Sequence, residues 1–256
     1  MGMLDDAVIV VTGAARGIGV AIAERCSAEG AKCLLVDMDA DVERVARSIT
    51  NCASLVVDIT DRGSAAAALD VAESEFGSVT GLVNNAALVP ELEKLLEQQD
   101  KNWDRTLEVN LEAPMRWSQE FIRRALPRRT GSIVNIATIE ANHVGPGGLA
   151  YHVSKSGLLA LTRGITVEYG RQGIRCNSVS PGSIRSPRFE EVMASFPGLE
   201  EALLSLNYAG RFGYPEEVAA CTAFLLSSEA GYCNGMDMVI DGGRLAATLG
   251  PQGLDK

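Results

Sequence analysis

The sequence predicts one α/β domain, in which a doubly wound parallel β-sheet carries helices on both faces. Strand and helix signals alternate along the chain, which is the pattern of repeated strand–helix–strand units. The strand signals are short, continuous runs rich in Val, Ile and Leu, as expected for strands buried on both faces. A length of 256 residues suits a single core of this kind. We therefore expect residues 1–256 to form one domain.

The elements can be placed in order from these signals. Apolar runs predict strands at residues 7–11, 32–36, 53–57, 81–83, 132–137, 174–179 and 237–240. Longer amphipathic runs predict helices at residues 18–28, 42–49, 63–76, 103–126, 150–169 and 215–227. No repeat, low-complexity tract or linker interrupts this order, so we expect no second domain.

A glycine-rich turn joins the first strand to the first helix. Gly13, Gly17 and Gly19 follow the spacing G-x-x-x-G-x-G, with Ile18 between the last two glycines. Glycines let the backbone approach a pyrophosphate closely, and the free N–H groups at a helix N-terminus attract its charge. Strand, glycine turn and helix in this order are typical of the start of a Rossmann-type, dinucleotide-binding fold. An ordinary turn without a ligand is the alternative for this motif taken alone.

Charge indicates which dinucleotide is preferred. The second strand ends at Asp37, about twenty residues beyond the glycine turn. A carboxylate there accepts hydrogen bonds from the adenosine ribose and repels the extra phosphate of NADP. Met38 follows it and cannot neutralise that phosphate, whereas Arg16 in the turn is a basic residue that favours NADP. The sequence therefore predicts NAD, with NADP as the less favoured cofactor.

Tyr151 and Lys155 are separated by four positions at the start of an amphipathic run. On a helix this spacing places the phenol and the ammonium on the same face. A phenol has a pKa of about 10, and a nearby cation favours its ionised form. The pair can therefore give or take a proton. An exposed helical face is the alternative interpretation of the spacing by itself.

These features resemble the short-chain dehydrogenase/reductase superfamily over nearly the whole chain, from about residue 8 to residue 243. The glycine turn and the Tyr151-x-x-x-Lys155 spacing match two of its motifs. Further matches follow in the expected order, namely Asn84-Asn85-Ala86-Ala87, Asn110 and Ser180-Pro181-Gly182, with Ala87 in place of the usual glycine. The resemblance implies an oxidoreductase that transfers a hydride between NAD and a secondary alcohol or ketone.

The resemblance also implies roles for individual residues. Tyr151 is expected to be the general acid or base, and Lys155 to bind the nicotinamide ribose and lower the pKa of Tyr151. Asn110 is expected to hold a water that links Lys155 to solvent. Beside the residues already named, the expected cofactor contacts are Asp58, Ile59, Asn85, Ala86, Pro181, Gly182 and Ile184. For Asp58, a turn that ends the third strand is an equal alternative.

One position departs from the family pattern. The family has a serine thirteen residues before its tyrosine, and here Thr138 occupies that position. Threonine keeps a hydroxyl that can hydrogen-bond the substrate oxygen, but it adds a methyl group and a stiffer χ1. We expect Thr138 to be a catalytic residue in a somewhat reshaped pocket.

Two longer segments, residues 139–148 and 183–214, follow the fifth and sixth strands at the edge where α/β sheets bind ligands. In the resembled family the second segment forms a mobile lid over the substrate, and a short helix is predicted in it at residues 190–195. An ordinary surface excursion is the alternative. Arg185, Arg188 and Arg211 suggest an anionic substrate, although solvated surface charges are the favoured interpretation.

Composition limits the partners. A formal charge of −10 argues against nucleic acid or an anionic membrane surface, and no apolar run approaches the ~20 residues that span a bilayer. Six cysteines without C-x-x-C spacing and two histidines predict neither disulfides nor a metal site. The acidic N-terminus predicts no signal peptide, so we expect a cytoplasmic protein.

The same motifs are compatible with two other functions. An NADPH-dependent ketoreductase of 3-ketoacyl or polyketide substrates is one alternative, and Asp37 and Met38 disfavour it. A catalytically silent nucleotide-binding scaffold is another, and the presence of Tyr151 and Lys155 disfavours it. We expect a homotetramer that pairs through the helices predicted at 103–126 and 150–169, with burial of their apolar residues inside one subunit as the alternative.

Overall fold

The strands form one parallel sheet. The computed structural model describes residues 2–246, apart from the side chain of Arg188. Its strands are β1 Val8–Thr12, β2 Lys32–Asp37, β3 Cys52–Val56, β4 Gly81–Asn84, β5 Gly131–Ile136, β6 Ile174–Pro181 and β7 Asp237–Ile240. They lie in the order β3-β2-β1-β4-β5-β6-β7, and every neighbouring pair is parallel. This order confirms the predicted doubly wound sheet.

Helices cover both faces of the sheet. They are α1 Gly17–Ala28, α2 Asp41–Ser48, α3 Ser64–Phe76, α4 Asp100–Leu107, α5 Ala113–Ala125, α6 Leu149–Tyr169, α7 Pro187–Ser195, α8 Leu199–Ser205 and α9 Pro215–Leu226. Apolar side chains of α1, α2 and α9 pack on one face, and those of α3, α5 and α6 pack on the other. Helix α8 was not predicted, because a run this short carries little periodic signal. None of the described helices is long and apolar enough to cross a membrane.

The single helix predicted at 103–126 is wrong in its middle. The structure has α4, then a π-helical turn at Glu108–Glu112, then α5. Pro114 occupies the first turn of α5, where its missing N–H interrupts the regular helical hydrogen bonds. The π turn carries Asn110, whose side chain is fully buried. Such turns are frequent at functional sites because they redirect a side chain.

A chain of buried amides fixes α6 to the centre of the sheet. The Nδ2 of Asn84 donates to the Oδ1 of Asn135 at 2.8 Å, and the Nδ2 of Asn135 donates to the Oγ1 of Thr162 at 2.8 Å. These bonds join β4, β5 and α6. Because buried polar groups are costly unless paired, the chain specifies one position for the helix that carries Tyr151.

Candidate active site

A cleft of about 1110 Å³ runs along the carboxyl edge of the sheet, across the point between β1 and β4 where the strand order reverses. The sheet divides there into two halves, which we name after the ligands expected from the sequence: an adenosine half, β3-β2-β1, and a substrate half, β4-β5-β6-β7. Most of the predicted site residues line the cleft, namely Gly13, Arg16, Gly17, Ile18, Asp37, Asp58, Ile59, Asn85, Ala86, Thr138, Tyr151, Lys155, Pro181, Gly182 and Ile184. Gly19 and Asn110 do not.

The glycine turn is shaped by close backbone contacts. Gly13 has a φ of 67°, and a Cβ there would lie 2.6 Å from the Cα of Ala86. A Cβ on Gly19 would lie 2.1 Å from the carbonyl oxygen of Gly13. Gly19 is buried beneath the turn, and its contacts in the structure are packing contacts, while its predicted part in cofactor binding stays a prediction. Its lack of a side chain lets α1 begin directly against the turn.

The N-terminus of α1 faces the cleft without a side-chain cap. Its N-cap residue, Arg16, has no capping hydrogen bond, and both Gly17 and Ile18 line the cleft. The first backbone N–H groups of a helix have no partner inside it, and they carry partial positive charge. This arrangement suits a phosphate group.

Asn85 holds the turn in place. Its Nδ2 donates to the carbonyl oxygens of Thr12 and Gly13, both at 2.9 Å. The Oγ1 of Thr12 in turn accepts from the backbone N of Asn85 at 3.1 Å and of Ala86 at 3.2 Å. The end of β4 is thereby fastened to the glycine turn, and Asn85 has a positioning role in addition to its place in the cleft wall.

Two carboxylates stand at the adenosine half. Asp37 accepts from the backbone N of Ala15 and of Asp39, both at 3.0 Å, which holds it at the end of β2. Asp58 accepts from the Nη2 of Arg105 at 2.7 Å and from the backbone N of Thr60 at 2.9 Å. Burial acts to raise the pKa of Asp58, but these hydrogen bonds outweigh it and leave the pKa below its usual value. Its carboxylate is therefore engaged internally, which favours the structural interpretation of Asp58.

Tyr151 and Lys155 lie near the start of α6, against the end of β5. The buried Nζ of Lys155 donates to the carbonyl oxygen of Ile136 at 2.7 Å and lies 6.0 Å from the centroid of the Tyr151 ring. Burial lowers the pKa of Lys155 to about 8. An ammonium has three donors, so two N–H groups of Lys155 have no partner among the described residues.

The charge around Tyr151 differs from the expectation. Burial raises the pKa of the phenol above its ordinary value, the carboxylate of Glu140 raises it further, and the neighbouring hydroxyl of Thr138 acts in the opposite direction. The lowering expected from Lys155 does not offset this rise. The hydroxyl of Thr138 lies close enough to the phenol to affect its pKa, which is the position that the resemblance implies for residue 138.

Glu140 is a site residue that the sequence analysis missed. It lies on the 3₁₀ turn Ile139–Ala141, lines the cleft, and places one carboxylate oxygen 3.5 Å from the Nε2 of the buried His152. Its backbone N donates to the Oγ1 of Thr138 at 3.3 Å. An acidic residue in the loop after β5, two positions beyond Thr138, was a signal that could have identified it.

Asn110 anchors a loop of the cleft wall. Its Oδ1 accepts from the backbone N of Leu88 at 2.7 Å, and its Nδ2 donates to the carbonyl oxygen of Leu88 at 2.9 Å and to the Oγ of Ser154 at 3.1 Å. Both amide donors are therefore used. The side chain connects Leu88 of the cleft wall to α6, so its observed role is to position both.

The segment at 183–214 covers the substrate half with apolar side chains. Helix α7 begins at Pro187, three residues before the predicted start, because the Oγ of Ser186 caps it through the N of Phe189 at 3.2 Å. Helices α7 and α8 of this segment contribute apolar side chains to the cleft wall, namely Phe189, Val192, Met193, Leu199 and Leu203.

The arginines of this segment face its own glutamates. Arg185 pairs with Glu190 at 2.7 Å and with Glu200, and it does not line the cleft. Arg211 pairs with Glu217 at 2.7 Å. The favoured interpretation of these residues as surface charges fits this geometry. The side chain of Arg188 lies outside the described residues.

Known proteins match this chain over all the residues that line the cleft. A family model described as enoyl-(acyl carrier protein) reductase matches residues 13–244. The 3beta-hydroxysteroid dehydrogenase 2 of Eggerthella lenta is 33% identical, covering 91% of this chain and 93% of the relative. The D-threitol dehydrogenase of Mycolicibacterium smegmatis is 36% identical, covering 94% of this chain and 93% of the relative.

Comparison with solved structures gives the same family of relatives as the sequence comparison. A proposed 2-deoxy-D-gluconate 3-dehydrogenase of Agrobacterium tumefaciens, solved with NADP bound, superposes with a TM-score of 0.87 at 29% identity, covering 95% of this chain and 98% of that one. Sequence, motif order and fold agree over the same residues. The chain belongs to the short-chain dehydrogenase/reductase superfamily, whose members use NAD or NADP, and it is a hydride-transfer oxidoreductase of secondary alcohols.

Proposed function

We propose that the chain is an NAD-dependent dehydrogenase of small secondary alcohols in which Tyr151 is the general acid or base. The observation that carries this proposal is that Thr138, Tyr151 and Lys155 line the same cleft as the uncapped start of α1. A proton-transfer group, a hydroxyl for the substrate oxygen and a cation with free donors thus face one dinucleotide-sized cleft.

The residues present fit a nicotinamide dinucleotide. Gly17 and Ile18 would hold the pyrophosphate, Asp37 the adenosine ribose, and the free N–H groups of Lys155 the nicotinamide ribose. Pro181 and Ile184 would border the nicotinamide. When bound, the nicotinamide accepts a hydride from the carbinol carbon during oxidation and returns it during reduction.

The chain's own residues move the proton. In oxidation, Tyr151 as phenolate takes the hydroxyl proton while the C–H bonding pair leaves as hydride, so that the carbonyl forms. In reduction, Tyr151 as phenol gives its proton to the oxygen. Thr138 donates a hydrogen bond to that oxygen, and the ammonium of Lys155 favours the phenolate when the substrate is in place.

The proposal is tested by nicotinamide reduction, followed by absorbance, over a panel of polyols, cyclic alcohols, hydroxy acids and steroids. We expect oxidation of at least one secondary alcohol, with NAD⁺ preferred. A panel without turnover with either nucleotide would contradict the proposal.

Glu140→Gln should move the pH dependence of oxidation to lower pH. The negative charge of Glu140 disfavours the phenolate, so its removal lowers the pKa of Tyr151 and populates the base at lower pH. The measurement is kcat/KM against pH, in the direction of alcohol oxidation. Glu75→Gln, an exposed site near the end of α3, is the matched control and should leave the profile in place.

NAD preference rests on Asp37. The exposed side chain of Met38 lines the cleft beside Asp37 and brings no positive charge. We expect Asp37→Ser combined with Met38→Arg to raise the NADP to NAD ratio of kcat/KM at least about 100-fold, since one repulsive charge is removed and one phosphate partner is added. Asp39→Ser, a neighbouring cleft carboxylate, is the control.

An NADPH-dependent ketoreductase is the second candidate. Arg16 favours it, because this arginine is exposed, lines the cleft and has no ion-pair partner among the described residues. A parent protein that already uses NADP better than NAD would establish this candidate, and it would show that Arg16 outweighs Asp37.

We also propose a cytoplasmic homotetramer in which residues 183–214 act as a lid. Val153 and Val167 are exposed on α6, which supports a partner on that helix. Light scattering should give a mass near four chains. A mass near one chain would refute the assembly.

A further inference from the structure

Arg244 lies in the substrate half of the cleft. It follows β7, which occupies one edge of the sheet, whereas Asp37 and Asp58 follow β2 and β3 near the other edge. The carboxyl ends of parallel strands share one edge, so this order separates Arg244 from the adenosine half. Arg244 lines the same cleft as Thr138 and Tyr151.

The fold holds the backbone of Arg244 in a defined turn. The Oδ1 of Asp241 accepts from the backbone N of Gly243 at 2.9 Å, and its Oδ2 accepts from the N of Leu245 at 2.7 Å. Gly242, with a φ of 63°, packs so closely that a Cβ would lie 2.2 Å from the Oδ1 of Asn207. The backbone N of Ala209 donates to the oxygen of Gly242 at 2.9 Å. The turn is thereby fastened to the segment at 183–214.

The guanidinium of Arg244 has unused donors. Its single side-chain hydrogen bond within the described residues is a long one, 3.4 Å from Nη1 to the Oγ of Ser183. A guanidinium offers five N–H donors. Arg105, which also lines the cleft, is paired with Asp58 and Glu108. Arg244 has no carboxylate partner among the described residues, although the chain has a formal charge of −10.

We propose that Arg244 anchors an oxyanion of the substrate, so that the preferred substrates are secondary alcohols that carry a carboxylate. This inference rests on the proposed dehydrogenase function and names its substrate class. A guanidinium binds a carboxylate through two parallel hydrogen bonds. Val192, Met193 and Leu199 give the same cleft apolar lining, where charges are screened less than in bulk water. Glu140 repels an anion beside Tyr151, which favours acids whose carboxylate is separated from the carbinol carbon.

The test compares acids with neutral alcohols of the same skeleton. The first pair is 3-hydroxybutyrate and 1,3-butanediol, and the second is gluconate and glucitol. The kcat/KM for oxidation is measured for both members of each pair, with NAD⁺ and with NADP⁺. We expect the parent to prefer the acid of at least one pair about tenfold or more in kcat/KM. Arg244→Met should lower kcat/KM for that acid on the order of 10- to 100-fold, as loss of a charged hydrogen-bond partner does, and leave the neutral partner within about threefold.

Two further variants make the result specific. Arg244→Lys keeps the charge and should retain part of the acid preference, which separates charge loss from a folding defect. Arg47→Met, on the exposed side of α2, should leave both rates unchanged. Equal kcat/KM of the parent for the acid and the neutral alcohol of each pair would overturn the inference and leave the proposed function standing. So would an Arg244→Met variant that lowers kcat/KM equally for acid and neutral alcohol. No turnover of any alcohol would overturn both.

Discussion

Tyr151→Phe is expected to reduce kcat on the order of 100- to 10,000-fold, because it removes the group that exchanges the proton with the substrate oxygen. The phenylalanine ring keeps the edge contact with His152, whose centroid lies 6.3 Å from that of Tyr151, so the fold should be retained. Binding of NAD should stay near the parent level, since Lys155 and the glycine turn are unchanged. The measurements are kcat by nicotinamide absorbance and the Kd of NAD by titration of intrinsic fluorescence.

Tyr232→Phe provides the control for the loss of a hydroxyl, because the side chain of Tyr232 is fully exposed. It should keep parental kcat and Kd. Residual activity of Tyr151→Phe within tenfold of the parent would remove Tyr151 from its assigned role, and Glu140 or a bound water would then have to supply the proton.

The sheet and most of its helices could be predicted because their signals are local. Continuous apolar runs define β1 and β2, and each strand carries its own signal irrespective of its neighbours. The interruption at Glu108–Glu112 could not be predicted in the same way. Its geometry depends on the contact between Asn110 and Leu88, which only the folded chain creates.

The members of the site could be predicted better than their interactions. Motif spacing predicted that Thr138, Tyr151 and Lys155 share one site, because the family pattern fixes their positions after β5 and on α6. The pairing of Asp58 with Arg105 joins residues that lie 47 positions apart, and no local pattern indicates it. A sequence gives the types of side chain available, whereas the partner of each one follows from packing.

The pKa of Tyr151 and the ion pairs of the arginines also depend on contacts that only the folded chain creates. The Tyr-x-x-x-Lys spacing predicts a phenol with a lowered pKa, yet burial and Glu140 raise the pKa of Tyr151 in the structure. The motif spacing indicates only the charge of Lys155, whereas the pKa of Tyr151 depends on burial and on all neighbouring charges. The sequence left open whether Arg185 and Arg211 bind an anionic substrate and favoured surface charges. Both are paired with glutamates in the structure, whereas Arg244 lines the cleft.

The Thr138 variants should separate the hydroxyl of this residue from its shape. Thr138→Ser keeps the hydrogen-bond donor and loses a methyl group, so we expect most of the activity to remain. Thr138→Val keeps the branched shape and removes the hydroxyl that lies beside Tyr151, so kcat should fall on the order of 100- to 1,000-fold, the usual cost of one preorganised donor to a substrate oxygen. Steady-state kcat and KM for the best alcohol are the measurements.

The valine variant also tests which residue holds the substrate oxygen. If Thr138 does so, the loss appears mainly in kcat, because the hydrogen bond strengthens as charge develops on the oxygen in the transition state. If the valine variant matched the parent, the donor would have to come from the loop at 139–148, and the family's serine would have been matched to the wrong position. The hydroxyl of Thr138 also accepts from the backbone N of Glu140, at 3.3 Å. Thr138→Val therefore also removes this loop contact, and a loss that appears mainly in KM, with kcat retained, would indicate a disturbed loop rather than a missing donor.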